Sequence, residues 1–305
     1  MVLCRQVPFC MKMEGKVVVI TGATSGIGQV TAEGLAAEGA RIVQVARDRV
    51  RGEAALGRLP RPLPGVVHSI YYADLSKLNE MKRVGSEIAR AEPHIDVLIN
   101  NAGAMFSALQ LSEDGLERTF ALNHVAYFVL THCLRERLVN STPARIVNTA
   151  SHAHESATLD FDDLQSVKAY SNGTLAEWLR YGGPGFKVYG RSKLCNILFT
   201  RELARRLAGT GVTVNCCHPG FVATRFGDET GGLISFSIRI GKRFALSPQR
   251  GAETLIYLAS SSEVANTTGG YFSKCHPVQP SREAQDDTIS GELWRRTASL
   301  SGLPD

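Results

Sequence analysis

The chain has 305 residues, 44% of them hydrophobic and 21% charged, with a net charge of +5. That composition excludes a disordered chain, a collagen-like repeat and a coiled coil, and it supplies enough apolar side chain for a sizeable core. The positive charges are scattered with no run of five, so no nucleic-acid partner is indicated.

Seven cysteines stand at irregular spacing without a C-x-x-C pair. This argues against zinc ribbons and thioredoxin chemistry, and no metal-ligand set stands out. A reducing compartment fits, so a cytoplasmic location is expected. Adjacent Cys216 and Cys217 should point to opposite faces of a strand as buried thiols. Residues 1–14 read as an N-terminal extension, too short and too polar for a signal peptide or a membrane span.

Apolar runs at 16–21, 41–46, 66–73, 95–100, 144–149 and 212–217 read as strands. Helix-length segments separate them, notably 28–39, 115–138 and 188–207. Such alternation predicts an α/β fold, a doubly wound parallel sheet of Rossmann type covered on both faces, in a single domain over 15–305. Two segments break the alternation. One is 157–187, acidic at its start and read as an insertion. The other is 225–246, whose second half is apolar with Arg239, Lys242 and Arg243 and no acid. Both follow strands, on the side where doubly wound sheets place ligands.

Thr21-Gly-Ala-Thr-Ser-Gly-Ile-Gly28 lies between the first strand and the first helix. Gly22, Gly26 and Gly28 permit a tight turn and close backbone approach to a pyrophosphate, and Thr24, Ser25 and Ile27 complete the cradle. The helix behind it offers free N–H groups and a favourable dipole. The second strand ends in Ala46 and is followed by Arg47, where a cation suits the 2′-phosphate of NADP(H) and a carboxylate would suit NAD(H). Asp48 could pair with Arg47 or reach the ribose itself, but the arginines at 47, 49 and 51 favour NADP(H).

Taken together, Thr21-Gly-x-x-x-Gly-x-Gly28, Asn100-Asn-Ala-Gly103 and Tyr189-Gly-Arg-Ser-Lys193 resemble the short-chain dehydrogenase/reductase family. Within it the chain is most similar to the retinol dehydrogenase-like group, through Arg47-Asp48, Asp74-Leu-Ser76, Leu122-Asn-His124, His218-Pro-Gly220 and Tyr271-Phe-Ser-Lys-Cys275. The resemblance runs from about Glu14 to Leu303. Tyr189 and Lys193, four apart on a predicted helix, share one face. A phenol titrates near ~10, too high for general acid–base work at neutral pH. A cation about 4 Å away at an effective dielectric near ~20 is worth roughly 4 kcal/mol, about three pKa units, so Lys193 is expected to bring Tyr189 towards physiological pH.

The resemblance implies two further catalytic residues. Ser151 would steady the reacting oxygen, its plainer reading being an N-cap serine. Asn123 would hold a water that links Lys193 to solvent. By matched position, Asp74 and Leu75 would lie along the adenine, and Asn101, Ala102 and Gly103 along the adenosine ribose. Pro219, Gly220 and Thr224 would flank the nicotinamide, while Lys193 binds its ribose hydroxyls beside Tyr189. His152 and His154 follow Ser151 without a nucleophile elbow, so a hydrolase is disfavoured. His218 and Cys195 read as packing residues.

The implied reaction is hydride transfer between nicotinamide and a carbonyl or alcohol carbon. Residues 225–246 stand where this family has its substrate lid, and their apolar side chains suit a small hydrophobic substrate. The same basic stretch could also brush a membrane surface. No N-terminal apolar anchor like that of many group members is read in the sequence, so membrane residence is not expected. The segment between Ser151 and Tyr189 is longer than usual for the group, so retinol itself is not assumed. A homodimer is in keeping with the resemblance. Two other readings stay open: a ring double-bond reductase of the protochlorophyllide reductase type, which shares a stretch like Lys193-Leu-Cys-Asn196, and an idle NADP(H)-sensing scaffold. Retention of all four catalytic positions argues against the scaffold.

Overall fold

The computed structural model describes residues 11–171, 183–220 and 246–305. Its first strand, β1 (Val17–Thr21), is buried along its whole length, which a strand can be only when both faces of its sheet are covered. Helix α1 (Gly26–Ala37) follows, then β2 (Arg41–Ala46), α2 (Arg49–Arg58), β3 (Ser69–Tyr72), α3 (Leu78–Ala91) and β4 (Val97–Asn100). One α-turn at Arg118–Phe120 widens into a π-turn at Ala121–Val125 and runs on as α4 (Ala126–Asn140). The predicted helix over 115–138 is therefore interrupted. After β5 (Ala144–Thr149) come the short α5 (Val167–Ser171), the long α6 (Pro184–Arg206), β6 (Val212–Cys217), α7 (Pro248–Ser260), β7 (Tyr271–Ser273), β8 (His276–Pro277) and α8 (Asp287–Ser301).

The strands form one sheet in the order β3-β2-β1-β4-β5-β6-β7-β8, parallel except for β8. The doubly wound sheet is thus as expected. The last two strands were not anticipated, being three and two residues long and too short to show a period. Alternate residues of each strand feed two cores. Val17, Val19, Leu98, Ile146 and Cys216 join α3, α4, α6 and α8 on one face. Val18, Ile20, Ile99, Val147 and Cys217 join α1 and α7 on the other. The adjacent cysteines do point to opposite faces. Met13, within the predicted extension, is also buried, and its N–H bonds to Glu38 O.

The strand order reverses between β1 and β4, whose chain continuations diverge and leave a crevice at the carboxyl edge. The loops 21–28 and 100–104 meet there. Beneath them, Phe128 of α4 packs against Phe199 of α6 and Trp294 of α8, with ring centroids 5.9 and 4.8 Å away. This cluster sets the spacing of three helices, so Phe128→Ala should cost about 3–5 kcal/mol in urea unfolding. A loss under about 1 kcal/mol would mean the helices close the gap.

Candidate active site

The glycine turn is held from behind by β4. Thr21 Oγ1 accepts from the N–H groups of Asn101 and Ala102, both at 3.0 Å. The Asn101 amide donates to Thr21 O at 3.1 Å and Gly22 O at 3.2 Å. Gly22 has φ +70°, and a Cβ on Gly28 would lie 2.4 Å from both Asn101 Nδ2 and Gly22 O. The turn therefore needs glycine at these positions for its own closure. Asn101 was expected along the ribose, yet its side chain is occupied in bracing the turn.

The features expected of a dinucleotide cradle are nevertheless present. Ser25 N-caps α1 without spending its hydroxyl on the cap, and Thr24, Gly26 and Ile27 are half-buried around the helix start. Arg47 is exposed at the end of β2. Asp48 instead caps α2, its carboxylate accepting from Arg51 N at 2.8 Å, which turns it to the helix. Asp74 is half-buried. Burial pushes its carboxyl up, but hydrogen bonds from Ser76 and the charges of Arg47 and Arg118 prevail and hold it below the usual range. Leu75, matched to the same region, buries its side chain in the core. Gly103 is exposed after β4, and Ala102 half-buried. Pro219 and Gly220 follow β6, with His218 Nδ1 accepting from Gly220 N at 3.1 Å. Thr224 and residues 225–245 of the expected lid lie outside the described residues.

The catalytic candidates converge at the ends of β5, α6 and the π-turn. Ser151 caps a short 3-10 turn, accepting from Ala153 N at 3.2 Å, and also hydrogen-bonds Tyr189. The capping and site roles coexist on one hydroxyl. Asn123 is fully buried. Its Oδ1 accepts from Ala104 N, while Nδ2 donates to Ala104 O and Ser192 Oγ, all at 2.9 Å. Both amide protons are spent on protein partners, so the side chain itself braces the β4 loop and α6. The π-turn that carries it is a geometry often found at functional sites.

Lys193 is 2% exposed. Its ammonium donates to Thr149 O at 3.0 Å and lies 5.6 Å from the Tyr189 ring centre and 5.8 Å from that of Tyr127. The expected lowering of Tyr189 is not met in this geometry. Burial pushes the phenol up to about 12, opposed by its hydrogen bond with Ser151. Burial likewise drives Lys193 down to about 7. Desolvation is the largest cause of both shifts.

Other sequence readings resolve simply. His154 is buried, its Nδ1 3 residues past Ser151 and 2.7 Å from Ser151 O, while Nε2 accepts from Ser281 N at 3.1 Å. It ties the post-β5 loop to the C-terminal segment. Cys195 is buried, and burial pushes its thiol up. His218 packs its ring against those of His152 and Tyr271. Sequence reasoning missed Thr21, Tyr127, Glu117 and Asn196. The buried Glu117 caps the helical turn before Asn123, accepting from Thr119 N and Phe120 N, and receives the Tyr170 hydroxyl at 3.0 Å. Tyr127 is four residues past Asn123, a spacing that shares a helix face and could have flagged it.

A buried lysine with a lowered pKa carries a stability penalty. At or below about pH 7 it is charged in both states and the penalty is complete; stability then recovers as pH rises towards the ordinary lysine range. Lys193→Met should therefore stabilise the fold by about 1–3 kcal/mol near pH 6 in urea unfolding, with the gain closing as pH approaches ~10. A destabilised variant at low pH would contradict this account.

These positions can be set beside known proteins. The family model for short chain dehydrogenases matches residues 16–168 and 177–231, and its break falls inside the 157–187 segment. Human retinol dehydrogenase 14 is 39% identical, over 95% of this chain and 88% of its own length. Human retinol dehydrogenase 13 is 38% identical, over 95% and 85%. Among solved structures, an uncharacterised protein from Mycobacterium paratuberculosis superposes with a TM-score of 0.72 at 30% identity, covering 95% of this chain and 94% of that one. The Pseudomonas aeruginosa RhlG/NADP complex does so with a TM-score of 0.64 at 26% identity, covering 86% and 96%. With its glycine turn, Tyr-x-x-x-Lys helix and doubly wound sheet matched over most of its length, the chain belongs to the short chain dehydrogenase family of oxidoreductases.

Proposed function

We propose that the protein is an NADP(H)-dependent carbonyl reductase or alcohol dehydrogenase acting on a hydrophobic substrate. The observation that carries this reading is the meeting of Ser151, Tyr189 and Lys193 at the carboxyl edge of the sheet, beside the glycine turn. The first turn of α1 would hold the pyrophosphate, Arg47 the 2′-phosphate, and Lys193 the ribose next to the nicotinamide. The commitment of Asp48 to the α2 cap leaves Arg47 as the group suited to that end of the cofactor. When bound, the nicotinamide supplies or accepts the hydride.

The chain's own residues handle the proton. Tyr189, protonated at neutral pH with burial raising its pKa further, donates its phenolic proton to the oxygen as alkoxide character develops. Transfer runs downhill because an alkoxide is far more basic than a phenolate. Ser151, already hydrogen-bonded to Tyr189, fixes that oxygen beside the phenol. Lys193 offers a charge within reach of the resulting phenolate. The apolar composition of 231–246, the buried Met105 and Phe106 on the β4 loop and the likeness to proteins named retinol dehydrogenases support an apolar carbonyl or alcohol.

Two measurements test this. Tyr189→Phe should lower kcat for a panel of hydrophobic aldehydes and ketones by about a thousandfold while NADPH affinity, read by fluorescence, stays within about threefold. Arg47→Ala should weaken NADPH about tenfold or more and leave NADH unchanged. A wild type that binds NADPH yet reduces no carbonyl, or one that prefers NADH, would overturn the corresponding half of the proposal.

A further inference from the structure

Thr149 closes β5, and its carbonyl lies at the end of the ladder, where side chains can reach it. Two donors from α6 do so. Lys193 Nζ is 3.0 Å from that oxygen and Asn196 Nδ2 is 3.1 Å from it. Positions 193 and 196 are three apart and share one helix face. Asn196 is 0% exposed and Thr149 is 7% exposed. We propose that Asn196 is a positioning residue for the lysine: by taking the second lone pair of the Thr149 carbonyl, its amide fixes where the Lys193 ammonium sits relative to Ser151. The proposal rests on reading Ser151, Tyr189 and Lys193 as the reacting set.

A carbonyl oxygen has two lone pairs. With one committed to Asn196, the ammonium has a single direction of approach. Without that commitment, Lys193 would be the sole α6 donor on this carbonyl, and the group left free to shift on it would be the reacting group itself. Ser151 is two residues beyond Thr149, so the Asn196 bond also ties the strand that carries the serine to the helix that carries the tyrosine and lysine. A second crossbar lies one turn further along α6. Thr200 Oγ1 donates to Asn196 O at 2.7 Å and accepts from Asn148 Nδ2 at 2.9 Å, and Asn148 Oδ1 accepts from Asn100 Nδ2 at 2.9 Å. This second link joins the same two elements without touching the carbonyl that Lys193 uses.

Asn196 is the polar neighbour of His124, which burial holds neutral by pushing it down to about 3. The other His124 nitrogen, Nε2, lies 2.9 Å from Thr297 Oγ1 on α8. The Thr297 hydroxyl gives its proton to Leu293 O at 2.8 Å, so Nε2 carries the hydrogen and donates. Among the described residues, the titratable groups facing Lys193 are Tyr127 from α4, Tyr189 on its own helix and the Cys217 thiol from β6.

The test compares wild type, Asn196→Leu, Asn196→Asp and Thr200→Val. NADPH affinity is measured by fluorescence across pH, with kcat and KM for a hydrophobic aldehyde and the melting temperature alongside. Asn196→Leu should lower kcat about tenfold or more with KM within about threefold, and should move the midpoint of the pH dependence by about half a unit or more. Asn196→Asp keeps the shape but replaces the donor with an acceptor beside the ammonium, so it should move the midpoint upward. It also serves if the leucine variant does not fold. Thr200→Val should lower the melting temperature and keep the wild-type midpoint. A wild-type midpoint in both Asn196 variants, or losses that Thr200→Val reproduces, overturns the proposal. If wild type binds NADPH but reduces no carbonyl, the activity reading fails, while the pH dependence of binding still decides the place of Lys193. A wild type that binds neither nicotinamide cofactor overturns both.

Discussion

The structure is organised around the placement of one charge where water barely reaches it. The Lys193 ammonium sits at the junction of β5 and α6 and is held by the carbonyl of Thr149. Burying an amine is unfavourable, and its lowered pKa expresses that penalty. The cost is tolerated because the surroundings are otherwise well packed: apolar strands buried on both faces, an aromatic cluster under α4, α6 and α8, and polar groups that bond one another. The same burial raises the Tyr189 phenol above its ordinary value. A fold that left this helix face in water would give neither effect.

The cofactor side shows a related economy of contacts. Asn101 and Thr21 look like ligand contacts on position alone, since they flank the crevice where the strand order reverses. In the folded chain they bond each other and the glycine turn. Their contribution is to hold the first turn of α1 in place, with its Ser25 hydroxyl uncommitted to the cap. Pre-formed geometry of this kind lowers the ordering cost of binding an anion. Asn123 follows the same pattern, since its amide spends every proton on Ala104 and Ser192 and so locks the β4 loop against α6.

The described residues 152–171 that follow Ser151 are joined to this frame. Gln165 accepts from Glu117 N at 2.7 Å, and Tyr170 donates to the Glu117 carboxylate. Glu117 also caps the turn that leads to Asn123. The rim and the turn that leads to Asn123 therefore share a buried carboxylate, which burial pushes up against the opposing hydrogen bonds from Thr119 and Phe120. Close packing of Gly185 on Phe106, where a Cβ would lie 2.5 Å from a carbonyl oxygen, fixes the start of α6 against the β4 loop.

Local pattern alone determined a good deal about this protein. Short, mostly apolar runs alternating with helix-length segments specify buried strands, glycines at 22, 26 and 28 permit a turn, and tyrosine and lysine four apart on a helix share a face. Such features depend on neighbours within one or two turns of chain. Two things needed the tertiary structure. The Asn101 and Asn123 amides are internal braces, and Asn196 shares an oxygen with Lys193. The Tyr189 phenol also stands above its ordinary value and not below it, because the sequence expectation counted the charge of Lys193 and omitted the desolvation that burial imposes. Burial and hydrogen-bond partners across 44 or more residues of chain are set by how strands and helices pack, and no local spacing encodes them.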